Sequence, residues 1–313
     1  LVLNVLLAFE VNSNSYDAGM IPIIEESSHR PTYYNIAHRS SNHVDYDRKL
    51  LAMREKQKKP KNPKNPKKPH KPLTPFDPRT DLSYYVHVLY EGSVFCAGAL
   101  ITRRMAITSA RCFLPDPSDP SKQFKAEQMT VLSGRDFLNS TPKPSQAIGF
   151  FIEAPTTTRS VHNVAIIALA NKLPRDKYRY IPLYSRMPPT GAQVTMSFMD
   201  HKTHNITLYE TKVLSMDSCK ETYEEYGKMN IPFTKEFFCV ANRKKDGCST
   251  RPGDPLIIDN KLAGINLYGE HCDELQEGRK ADIYHSLRHS VKFIQKGIDL
   301  LRAFTKSGPY NST

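Results

Sequence analysis

With 313 residues and 39% hydrophobic side chains, the chain is long enough for one large domain with extensions, or for two ordinary domains, and apolar enough for a packed core. No apolar run reaches the roughly 18 to 20 residues of a transmembrane helix, so a soluble or peripheral protein is expected. The net charge of +12 points to anionic surroundings, yet its distribution along the chain argues against nucleic acid.

The chain opens on "LVLNVLLAF". Residues 1–10 read as the remnant of a secretory signal peptide, with a frayed hydrophobic terminus as the alternative. Residues 11–53 are polar and without sustained periodicity, which predicts disorder apart from a short local helix around "DYDRKLLAMREK". In residues 54–79, Pro60, Pro63, Pro66, Pro69, Pro72, Pro75 and Pro78 recur at every third position. That is the polyproline II period and predicts a semi-rigid tether about 55 Å long.

Ten Lys or Arg against Glu55 and Asp77 give residues 54–79 a charge of +8, most of the chain's excess. Two readings stand: a solvated spacer, or an electrostatic contact with an anionic partner such as a heparin-like polyanion, an acidic protein or a membrane surface. Nucleic acid is not expected as a partner, because aromatic residues do not interleave with the lysines.

After residue 80 come short alternating or apolar runs: "SYYVHVLY", "AGALITRRMAITSA", "QMTVLSG", "NVAIIALA", "AQVTMSF" and "PLIIDNKLAGINLYG". Pro, Gly, Asn and Asp separate them, and the pattern predicts an all-β sandwich or barrel. One amphipathic helix, "SLRHSVKFIQKGIDLLRAF", closes the domain, with Val291, Ile294, Ile298 and Leu301 on its apolar face and Arg288, Lys292 and Lys296 on another. Residues 306–313 are a tail.

Six cysteines, at 96, 112, 219, 239, 248 and 272, lack metal-ligand spacing. An oxidised disulfide framework is the better account, and counting alone leaves 15 pairings open. Sequons at Asn139, Asn205 and Asn311 agree with secretion. His201 and His204 lie in a polar loop without a carboxylate trio and read as surface residues, so neither a metal nor a cofactor is expected.

"FCAGALITRRMAITSARCF", "HNVAIIALANKL" and "DGCSTRPGDPLIIDNKLAGINLYGEHC", in that order and ahead of a terminal helix, resemble the trypsin-like, chymotrypsin-fold serine peptidases over residues 80–305. The resemblance implies two six-stranded β-barrels with a cleft between them, and disulfides Cys96–Cys112, Cys219–Cys239 and Cys248–Cys272. It also implies the catalytic positions, and all three depart from the family's pattern. Arg111 stands at the general base, Asn163 at the orienting aspartate and Pro252 at the nucleophile. A guanidinium cannot accept a proton, and proline has no hydroxyl.

The implied oxyanion-hole donors are the amides of Pro252, which has no N–H, and of Thr250 in place of a glycine. Arg251 replaces the aspartate that would pair with a newly cut N-terminus. Ser109 and Ser249 lie nearby, but no base can be placed beside either, so both are expected to be structural. Asp246, Tyr268 and Gly269 match a specificity pocket that would take a basic side chain, whereas Asp282 stands where a small wall residue is needed and would plug it.

The expected protein is a secreted, catalytically inactive serine protease homologue that binds an extracellular protein. By resemblance to insect pseudoproteases, the setting would be a proteolytic, immune or reproductive network. A residual hydrolase with a rearranged site and a polyanion- or matrix-binding module are the alternatives.

Overall fold

The computed structural model describes the backbone of residues 32–36 and residues 76–114, 124–136, 143–153, 163–175, 177–199, 205–225, 231, 233–242, 251–268 and 281–305. Residues 1–10, nearly all of the tether and the tail lie outside these. So do Asn139, His201, His204, Asp246, Cys248, Ser249, Thr250, Gly269, Cys272 and Asn311.

Strand β1 (Thr32–Ile36) comes first, within a stretch whose composition predicts no regular structure. It pairs antiparallel with β6 (Ser145–Glu153), Thr32 opposite Glu153 and Ile36 opposite Gly149. Thr, Tyr and Ile are strand formers, and β6 overruns β5 (Met129–Ser133), which meets it only at Thr130–Gln146 and Val131–Ser145. The overrun leaves an edge on which five residues can pair.

The first barrel continues through β2 (Tyr85–Tyr90), β3 (Ser93–Thr102), β4 (Met105–Ser109) and β7 (Val164–Leu169). Hydrogen bonding follows the order β6, β5, β2, β3, β4, β7, and β7 returns to β6, so the six strands close on themselves. β7 is buried at every position, which is why "VAIIAL" reads as a continuous apolar run.

The second barrel holds β8 (Gln193–Met199), β9 (Ile206–Lys212), β10 (Phe237–Ala241), β11 (Pro255–Ile258), β12 (Lys261–Tyr268) and β13 (Ala281–Ser286). Its order is β10, β13, β12, β11, β8, β9, closed by a bridge between Val213 and Val240. Asp259 and Asn260 take positive φ of 48° and 59° in the two-residue turn between β11 and β12. Asp and Asn tolerate that conformation, and such a turn matches the twist of the strands it joins.

Two disulfides staple the domain: Cys96–Cys112, Cα atoms 6.2 Å apart, and Cys219–Cys239, 6.0 Å apart. The first joins β3 to the turn after β4, and the second joins α1 (Met216–Glu225) to β10. Both are the pairings that the resemblance implies. The third involves Cys248 and Cys272, outside the described residues.

The closing helix α2 (Val291–Phe304) leaves the second barrel and packs against β6 and β7 of the first. Its buried residues are Phe293, Ile294, Gly297, Ile298 and Leu301. Val291, expected on that face, is 41% exposed, because at about 100° per residue it lies roughly a quarter-turn from the middle of the arc formed by the buried residues. Phe293 takes the inward place, its ring 4.7 Å from that of Phe151. One core runs through both barrels: Tyr84 just before β2 and Ile107 and Ile166 from the first barrel share a buried cluster with Leu262 and Ile265 from the second and Ile298 from the helix.

Candidate functional site

The register of β4 against β7 sets Ser109 opposite Val164, so the residues just beyond these ends emerge side by side. The Ala110 N–H donates to the Asn163 carbonyl at 3.1 Å. The Ser109 hydroxyl accepts from the Arg111 N–H at 3.2 Å and caps the short turn that carries Arg111 and Cys112. Ser109 is therefore a capping residue.

From that turn Arg111 reaches the other barrel. Its guanidinium carbon lies 3.6 Å from the centre of the Tyr268 ring at the end of β12. A stacked guanidinium and phenol attract by about 0.5 to 2 kcal/mol, depending on how dry the contact is. A guanidinium offers only donors, so nothing at position 111 can accept a proton.

Pro252 comes to the same turn from the second barrel. Its carbonyl accepts from the Ala97 N–H at 3.0 Å and lies 3.9 Å from the Cys112 sulfur. Gly253 follows with φ of 96°, and a Cβ there would collide with the Ala97 carbonyl, so this crossing between barrels admits glycine alone. The Gly253 N–H donates to the Asn266 carbonyl at 2.9 Å and the Asp254 N–H to the Arg251 carbonyl at 3.0 Å. The Arg251 N–H donates to Asp254 Oδ2 at 2.7 Å. With Pro252 lacking an N–H, every amide of residues 251–254 is committed, and none faces an oxyanion.

Asp254 is the functional-looking group that sequence reasoning missed. It is fully buried, and its Oδ1 accepts from the Tyr85 hydroxyl at 2.6 Å. Burial pushes its carboxyl up to about 8, against the pull of the Tyr85 hydroxyl, the Arg251 amide and the Arg251 charge. Beside it, burial pushes His87 down to about 3, and the Arg251 charge adds to that shift. The one available signal was a strand reading Tyr85-Val-His87, with both polar rings on the same face of the strand.

Of the suggested pocket residues, Tyr268 lies under Arg111. Asp282 is fully buried on β13 and accepts from Asn242 Nδ2 at 3.1 Å. Asp246 and Gly269 are outside the described residues. Among the described residues no three His, Cys, Asp or Glu side chains gather as a metal site, and no helix is long and apolar enough to cross a membrane. Two clefts, of about 450 and 470 Å³, flank the Asp259–Asn260 turn rather than Arg111.

The family model for trypsin matches residues 76–294. The chain belongs to the trypsin family. It is 30% identical over 190 residues to a trypsin of Sarcophaga bullata, covering 58% of this chain and 70% of that one. It is 26% identical over 239 residues to the hepatocyte growth factor activator serine protease of Mus musculus, covering 68% of this chain but 34% of that protein. Among solved structures it resembles neuropsin, a serine protease expressed in the limbic system of mouse brain. The TM-score is 0.54 at 21% identity, over 72% of this chain and 97% of that one, a likeness of fold.

Proposed function

We propose that this trypsin-family chain is a secreted protein without peptidase activity that works by binding another extracellular protein, as a regulator or cofactor in a proteolytic, immune or reproductive network. One observation carries the reading: Arg111 stacks on Tyr268 across the cleft between the barrels, at the position where the family's general base belongs. Asn163 and Pro252 adjoin it and supply neither an orienting carboxylate nor a nucleophile. Pro252 has no N–H to offer an oxyanion, and the amides at 251, 253 and 254 are already bonded, so among the described residues of this loop no donor is left for an oxyanion hole. In proteases stripped of their triad, the residual rate comes from that hole. Secretion is supported by the two closed disulfides and by the sequon at Asn205.

The test uses the purified full chain, a serine-directed fluorophosphonate and peptide substrates with Arg, Lys, aromatic and small residues at the cleaved position. Neither labelling nor turnover is expected. Labelling of Ser249 or Ser109 overturns the reading in favour of a rearranged hydrolase. For the binding half, the chain is cross-linked in the fluid that contains it; recovery only as free monomer counts against a protein partner.

A further inference from the structure

The cleft of about 470 Å³ lies where the segment joining the two barrels passes the β11–β12 turn. Three cations, Arg175, Arg179 and Lys261, and three rings, Phe76, Tyr178 and Tyr180, face it, with Asp259 as its single acid. The connecting segment is biased the same way: residues 171–186 hold Lys172, Arg175, Lys177, Arg179 and Arg186 against Asp176, five cations to one acid.

The walls are held before any ligand arrives. The Tyr178 hydroxyl donates to Asp136 Oδ2 at 2.6 Å, and burial first, then Asp136, pushes that hydroxyl up to about 12. The Arg179 N–H donates to the Ser83 hydroxyl at 3.0 Å, and Arg179 Nε lies 3.5 Å from Asp81 Oδ2. Phe76 packs against the shared core. Tyr180 is 42% exposed, and Arg175 and Lys261 are exposed as well.

Rings and cations lining one cleft fit a ligand that alternates flat apolar faces with anions. Sugar rings present C–H faces that lie against aromatic side chains, and sulfates pair with guanidinium and ammonium groups. Continuity of the chain favours a polymer over a small anion: Phe76 lies near the end of the tether, and residues 56–71 carry eight lysines at near-regular spacing. A repeating polyanion can engage the cleft and the lysines together, and each point of attachment raises the effective concentration at the other.

We propose that this cleft binds a sulfated polysaccharide, with sulfates on Arg175 and Lys261 and a sugar ring on Tyr180. The site is separate from the Arg111 neighbourhood and does not depend on whether the chain cleaves peptides.

The full chain is titrated with a fluorescent heparin oligosaccharide at 0.05 and 0.15 M salt, beside desulfated heparin and polyglutamate. Tight, salt-sensitive binding to the sulfated probe alone is expected. Arg175→Gln with Lys261→Gln should weaken it about tenfold. Tyr180→Ala should weaken it severalfold at unchanged charge, and both variants should keep the wild-type melting temperature. Wild-type affinity in the Arg/Lys variant overturns the proposal, as does loss only when the tether lysines become Gln. Polyglutamate bound as tightly, and lost on the same variants, makes the cleft an acidic-peptide dock instead.

Discussion

The Tyr85 hydroxyl donates to Asp254 Oδ1 at 2.6 Å across 169 residues, joining β2 of the first barrel to the loop that enters β11 of the second. The same carboxyl accepts from the Arg251 N–H at 2.7 Å, so it closes the 251–254 loop on itself while anchoring it. Both partners come from within the domain. The loop's shape therefore needs no inserted N-terminus, in keeping with Arg251 at a position where such an insertion would meet a cation.

Tyr85→Phe should lower unfolding stability by about 1 to 3 kcal/mol, because Asp254 stays buried with one partner fewer. The cost should shrink in an Asp254→Ala background, where the acceptor that takes the hydroxyl's hydrogen bond is gone. Denaturant unfolding of the four proteins measures the coupling. Equal costs in both backgrounds would show that the hydroxyl acts on something other than Asp254.

The buried pair also sets a pH dependence. Asp254 titrates near 8 in the fold against an ordinary 3.8, so between about pH 4 and 8 the folded chain holds a proton that the unfolded chain has released. Its contribution to stability therefore falls as pH rises through that window. His87 works oppositely: its folded pKa of about 3, against an ordinary 6.5, makes stability fall as pH drops below 6.5. The two oppose each other from about pH 4 to 6.5, leaving 6.5 to 8 to Asp254. The melting temperature should decline over that upper window in the wild type and decline less in Asp254→Asn. An unchanged slope in the variant refutes the assignment.

Arg111 and Tyr268 should be energetically coupled across the cleft. A double-mutant cycle with Arg111→Ala and Tyr268→Leu isolates their stacking from the other contacts Arg111 makes, and about 0.5 to 2 kcal/mol is expected. A coupling indistinguishable from zero would mean that the 3.6 Å stacking does not bind the barrels together.

Much of this was legible in the residues. Alternation and apolar runs such as "SYYVHVLY" and "VAIIAL" mark strands because a strand's period is two and a fully covered strand is apolar throughout. The spacing of Cys96 and Cys112 pointed to the turn that bears Arg111. Other features depend on distance along the chain. Asp254 reads as an ordinary loop acid until Tyr85, 169 residues earlier, is folded against it. β1 was invisible because its pairing rests on an edge that β6 leaves free, not on its own hydrophobicity. The face of α2 was misplaced because Gly297, a buried residue without a side chain to mark it, belongs to that face, and the inward position fell to Phe293 rather than Val291.

Gly297 gives the sharpest test of how α2 latches the domain. Glycine in a helix interior costs about 1 kcal/mol relative to alanine, so Gly297→Ala should stabilise an unconstrained helix. Here Gly297 is buried against the first barrel, and a Cβ would collide with the Phe151 ring and come within 2.7 Å of Ile166 Cδ1. Phe151 is fully buried with its ring packed at a tilt against that of Phe293, so it has nowhere to retreat without opening the core. Overpacking of this kind costs about 1 to 3 kcal/mol, more than the helix gain returns. Gly297→Ala should lower the melting temperature despite its better helix propensity, whereas exposed Lys296→Ala should change it little. A stabilised Gly297→Ala protein would mean that α2 rides further from β6 and β7 than this packing requires.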